Sequence, residues 1–96
     1  MMLVELKRLL IENDGYKRNI SLQRIYVNSS SIVSISDYQG ASVFLLRENS
    51  KFAQDNFSLV KINEGGQTEE IIAHGSAEAL YISIGENNSG KRLLND

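Results

Sequence analysis

The chain has no cysteine, and its 96 residues include a single histidine, His74. Without cysteine no disulfide can staple the fold, and one imidazole with no thiolate leaves a structural zinc site short of ligands. The missing cysteine also suits a reducing compartment, so a cytoplasmic location is expected. Apolar runs are short: none approaches the roughly 20 residues that a membrane-spanning helix needs. The opening MMLVELKRLL is not read as a signal peptide, because Glu5, Lys7 and Arg8 interrupt it and no cleavage site follows. Four Asn-x-Ser sequons, at Asn19, Asn28, Asn56 and Asn87, are what a chain rich in both residues yields by chance. Proline is absent too, and we attach no mechanism to that. Net charge is only −2. Residues 1–30 carry five basic side chains against three acidic ones, a net +2, and the remainder carries five against nine, a net −4. So small an imbalance does not by itself call for a nucleic-acid partner.

What the chain does have is short runs of β-branched and aromatic residues. Ile25-Tyr26-Val27, Ile32-Val33-Ser34-Ile35 and Val43-Phe44-Leu45-Leu46 are separated by Asn28–Ser31 and Asp37–Gly40. Such runs, broken by Asn, Ser, Asp and Gly, predict strands joined by turns. Along the first, Leu22, Arg24 and Tyr26 face one side and Ile25 and Val27 the other, with Asn28 ending the strand. Ile32–Ile35 and Val43–Leu46 are expected to pair over the Asp37–Ser42 loop, with Gly40 at positive φ. Residues 47–56 make a polar connection holding Phe52. Residues 57–62 read as a strand, Asn63–Gly66 as a turn, and Glu69–His74 as the returning strand. After Gly75, Ser76 is an N-cap for a helix over 77–84 that Gly85 terminates. Leu80, Ile84 and Tyr81 would pack that helix on the sheet. Gly15–Leu22 reads as a hairpin arm or an irregular connection, after an Asp14-Gly15 turn signal. Residues 2–12 fit two patterns. Met2, Leu6, Leu9 and Leu10 share a helical face, whereas Val4, Leu6 and Leu10 alternate with Arg8 breaking the alternation. Local propensity favours the helix.

The run Leu3-Val4-Glu5-Leu6, then Ile25-Tyr26-Val27-Asn28, Ile32-Val33-Ser34-Ile35, Gly40 with Ser42-Val43-Phe44-Leu45, and Ser76-Ala77-Glu78-Ala79-Leu80 together resemble short domains of the FlbD/SwrD type. Those domains are known from flagellar proteins and from small uncharacterised bacterial and phage proteins. The resemblance covers residues 2–85 and rests on strand and turn residues, with no catalytic signature. It implies antiparallel strands closed by a short helix, and it makes residues 2–10 a strand against their local propensity. The connections at 11–22 and 47–56 are longer than that family's usual turns, and residues 86–96 extend past its usual end, which points toward the phage-like relatives rather than a flagellar role.

Chemistry-bearing patterns are few. Gly85-Glu86-Asn87-Asn88-Ser89-Gly90-Lys91 has the spacing of a phosphate-binding loop, but Arg92 replaces the magnesium-binding hydroxyl and four residues are too few for the required helix. His74, Ser76 and Glu70 contain the residue types of a catalytic triad, yet they share one strand end and no oxyanion loop is evident. Glu69 and Glu70 are neighbours on a strand and so point to opposite faces. Lys7, Arg8, Lys17, Arg18 and Arg24, near Tyr16 and Tyr26, are the best nucleic-acid candidates, since small β domains bind single strands through basic grooves and exposed aromatics.

The expectation is a mainly β (α+β) fold: a small antiparallel sheet or partly open barrel of five to six strands with one short C-terminal helix, spanning 1–85, followed by a polar tail at 86–96. No catalytic, metal or cofactor site is expected, and no membrane or small-molecule partner. The expected role is that of a non-enzymatic phage or bacterial accessory module working by protein contact or self-association. The alternative is single-stranded nucleic-acid binding through the five basic residues above. The two separate on one geometric point: basic side chains clustered on one face favour nucleic acid, and scattered ones favour protein contact.

Overall fold

The first segment is a strand, and a long one. In the computed structural model, which describes residues 2–40, 46 and 51–85, β1 (Leu3–Asp14) turns at Gly15 and returns as β2 (Lys17–Asn28). The two pair residue by residue, from Leu3 opposite Asn28 to Asp14 opposite Lys17. Gly15 has φ 61°, the left-handed conformation that glycine adopts without steric cost. The hairpin arm expected at 15–22 is therefore regular ladder throughout.

Asn28 ends β2 through its side chain. Its Oδ1 accepts from the Ser30 amide at 3.0 Å and starts one turn of 3-10 helix at Ser29–Ser31, which sequence did not foretell. The backbone of Asn28 itself stays extended. β3 (Ile32–Asp37), β4 (Phe57–Glu64) and β5 (Gln67–His74) follow. They complete one open antiparallel sheet in the order β2-β1-β5-β4-β3. A short helix α1 covers 77–85.

Three expectations need correction. β3 pairs with β4, Ile35 lying opposite Val60, and the strand expected to end at Leu46 does not include that residue. Leu46 is helical and buried, and residues 41–45 lie outside the described set. Leu46 packs with Leu9, Phe52 and Phe57 in a core cluster instead of extending the sheet. Gly40 is not at positive φ; a side chain there would meet the Tyr38 ring. Tyr81 is 74% exposed and does not pack on the sheet.

Partners across an antiparallel ladder share a face, and the register therefore sorts the core into two clusters. On one face lie Leu6, Val60, Ile62, Ile71 and Ala73, with Ile25, Val27, Ile32, Ile35 and Leu80 of α1 packed against them. On the other lie Leu9 and Phe57, covered by Leu46 and Phe52 and flanked by Ile11, Leu22 and Ile72. β1 thus buries Val4 and Leu6 toward one side and Leu9 toward the opposite one, and Arg8 marks the crossover.

α1 is capped twice. Ser76 Oγ accepts from the Ala79 amide at 3.1 Å, and Asp37 Oδ1 accepts from the Ala77 amide at 3.0 Å, tying the helix start to the end of β3. Ser76→Ala should lower stability by about 0.5–2 kcal/mol, toward the lower end because Asp37 still serves a neighbouring donor. Urea denaturation followed by circular dichroism measures it.

Candidate protein-contact site

Among the described residues the strands at the two ends of the sheet are β2 and β3. Edge strands present a row of backbone donors and acceptors that neighbouring chains can pair with, and charged side chains are the usual guard. β2 carries Lys17, Arg18 and Arg24 along its length. β3 carries no charge from Ile32 to Ser36, and its one carboxylate, Asp37, is engaged at the start of α1.

Beside β3 lies a groove of about 560 Å³ between the strand and α1, lined by Val33, Ile35, Ala77, Tyr81 and Ile84 among others. The β3–β4 register shifts between Ile32 and Ser34. This irregularity takes Val33 out of the ladder and leaves it 62% exposed. Tyr81 and Ile82 of α1 are exposed as well. A strand uncharged from Ile32 to Ser36 therefore borders a helix face that presents Tyr81 and Ile84 together with Glu78.

The basic residues do not converge. Lys7 lies opposite Arg24, and Arg18 lies opposite Asn13, which shares the face of Lys7 two-residue steps along β1. Arg8, opposite Gln23, and Lys17, opposite Asp14, fall on the other face. Several are also engaged. Arg24 Nε meets Glu5 at 3.0 Å, Arg8 meets Glu69 at 3.8 Å, and Arg18 Nε donates to Asn13 Oδ1 at 3.2 Å. These exposed ion pairs contribute little stability, but they set acid beside base where a nucleic-acid groove would leave a single sign.

No triad forms at His74. Its Nε2 lies 3.0 Å from Asp55 Oδ2, with its ring edge-on to Phe57 at 5.4 Å. Ser76 spends its hydroxyl on the helix cap, and Glu70 faces Lys61 at 3.8 Å, on the opposite side of the sheet from Glu69 with Arg8. A second cavity of about 490 Å³ near Asp37, Tyr38, Asp55 and Phe57 borders this pair. Its carboxylates are those holding α1 and His74, and the buried Ser58 hydroxyl nearby in sequence donates to the Gly75 carbonyl at 2.6 Å. Among the described residues, no group of three or more His, Cys, Asp or Glu side chains could hold a metal ion. The glycine-lysine loop at 85–91 lies outside the described residues apart from Gly85.

Comparison with known proteins returns no match: no family model fits the chain, and no curated protein or solved structure is significantly similar to it. Among the described residues no helix is long and apolar enough to cross a membrane. Sequence patterning did not single out Val33 and Tyr81 as surface residues. Both look like core positions, yet the irregular pairing of β3 takes Val33 out of the ladder and α1 packs through Leu80, with Tyr81 exposed. The usable signal was the uncharged run from Ile32 to Ser36 beside a helix.

Proposed function

We propose that this chain is a non-enzymatic interaction module that works by protein contact at the open edge of β3. One observation carries the proposal: a strand uncharged from Ile32 to Ser36 borders a largely apolar groove, with Glu78 in its wall, and the exposed Tyr81 of α1. A segment in extended conformation can add to such an edge through main-chain hydrogen bonds, while its alternate side chains fill the neighbouring groove. The pattern resembling FlbD/SwrD-type domains, which carries no catalytic signature, supports the same reading, and the role proposed with it is that of a phage or bacterial accessory protein.

Nucleic-acid binding is the weaker alternative, because the five basic side chains divide between two faces and stand beside carboxylates. Light scattering at low and moderate salt, with and without a mixed-sequence single-stranded oligonucleotide, separates the two. The expected result is no gain of mass with oligonucleotide at either salt. A gain that disappears as salt rises, and that Lys17→Glu with Arg18→Glu abolishes, would overturn the proposal in favour of nucleic acid.

A further inference from the structure

We infer that the β1–β2 hairpin is a flap: it opens from the sheet along the seam between β1 and β5 while β3, β4, β5 and α1 stay folded. The inference is independent of what meets β3.

The ladders of this sheet are unequal. β1 pairs with β2 from Leu3 opposite Asn28 to Asp14 opposite Lys17, and β4 with β5 from Phe57 opposite His74 to Glu64 opposite Gln67. Between β1 and β5, whose backbones are both described along their whole length, only Arg8 and Ala73 lie in register. Just past Ala73 the chain bonds elsewhere, the Gly75 amide donating to the Asn56 carbonyl at 2.8 Å. Arg8 also meets Glu69 across the seam at 3.8 Å, but both side chains are exposed and such pairs contribute little. Side-chain packing is what closes the seam. Leu6 sits with Val60, Ile62, Ile71 and Ala73 on one face, and Leu9 with Phe57 on the other.

The two sides of the seam differ in what they keep when parted. Three strands packed on a helix can reach independent stability, whereas a lone two-stranded hairpin is marginal. β3, β4 and β5 keep Val60, Ile62, Ile71 and Ala73 in contact with Ile32, Ile35 and Leu80 of α1. Phe57 keeps Phe52 and Leu46. The bonds that fix α1 and the end of β5, made by Asp37, Ser58 and Gly75, also lie wholly on this side. The hairpin, by contrast, buries Val4, Leu6 and Leu9 from β1 and no residue fully from β2. It stays tethered through Ser29–Ser31, the turn of 3-10 helix that leads into β3. Opening gives up one registered pair and the contacts of Leu6 and Leu9, a smaller loss than global unfolding, and proteins open in cooperative units of this kind. It uncovers the side of β5 that faces β1.

Native-state hydrogen exchange of the full chain over a range of urea is the experiment. Relative to their intrinsic rates, amides of the β1–β2 ladder should exchange at least about tenfold faster than those of the β4–β5 ladder, with a weaker urea dependence because less surface is exposed. Gly65→Ala acts inside the part that stays folded. It places a side chain at φ 60° in the β4–β5 turn, with nothing within 4 Å of the added atom. It should speed β4–β5 exchange about fivefold and leave the β1–β2 amides within about twofold. Leu6→Val acts at the seam and should speed the β1–β2 amides about fivefold. One common opening, with Gly65→Ala speeding both ladders alike, overturns the inference. So does an unchanged β1–β2 rate in Leu6→Val, which would mean that β2 frays from β1 while β1 stays in the sheet.

Discussion

Replacing Phe57 with alanine should lower the stability of this protein by about 3–5 kcal/mol. Phe57 opens β4 and is 4% exposed. Its ring meets Phe52 edge-on at 6.1 Å and His74 at 5.4 Å, and it packs with Leu9 and Leu46 in the second core cluster. Truncation removes the apolar surface buried there and leaves a cavity that β4, held between β3 and β5, cannot close. A domain of this length has a total stability of about 5–15 kcal/mol, so the loss would take a large fraction of it. Urea denaturation should show a lower midpoint with an unchanged slope. Tyr81→Ala is the control: at 74% exposure its effect should stay within about 0.5 kcal/mol. A loss under about 1 kcal/mol for Phe57→Ala would mean that Phe52 and Leu46 do not cover that face of the sheet.

The second large effect is expected at Gly75, where alanine should cost about 1–3 kcal/mol. Gly75 has φ 113°, well beyond the left-handed well near 57° that other residues can enter. Its surroundings prevent relaxation. Its amide donates to the Asn56 carbonyl at 2.8 Å, and its own carbonyl accepts the buried Ser58 hydroxyl at 2.6 Å. An added Cβ would also lie 3.5 Å from Leu80, the residue that anchors α1. Gly15→Ala offers the comparison. There φ is 61° and nothing lies within 4 Å of the added atom, so about 1 kcal/mol is expected. Equal losses in paired thermal melts would show that the β5–α1 junction is free to adjust.

The β-rich class, the turn glycines at 65–66 and 75, the Ser76 cap and the faces of Leu22–Val27 were all legible from local chemistry. Each depends on neighbours within a few residues: a hydroxyl reaching the next turn of a helix, or alternation along one strand. The pairing of β3 was not legible. Val43–Leu46 stands closer in sequence than Phe57–Glu64 and is equally apolar, and composition does not say that Phe57–Glu64 lies beside β3. The candidate site was hidden for the same reason, since an exposed Val33 and a half-buried Ile35 are alike in sequence.

Residues 2–12 show where the division falls. Leu6, Leu9 and Leu10 have helical spacing, yet the segment is the longest ladder in the fold. A strand that buries Leu6 in one core and Leu9 in another on the opposite face produces that spacing without being a helix. The sequence by itself determined that the chain makes strands and one capped helix, because propensity, turn chemistry and capping act locally. Only the tertiary structure decided which strands meet and which face each apolar residue serves, because burial depends on what the rest of the chain places alongside.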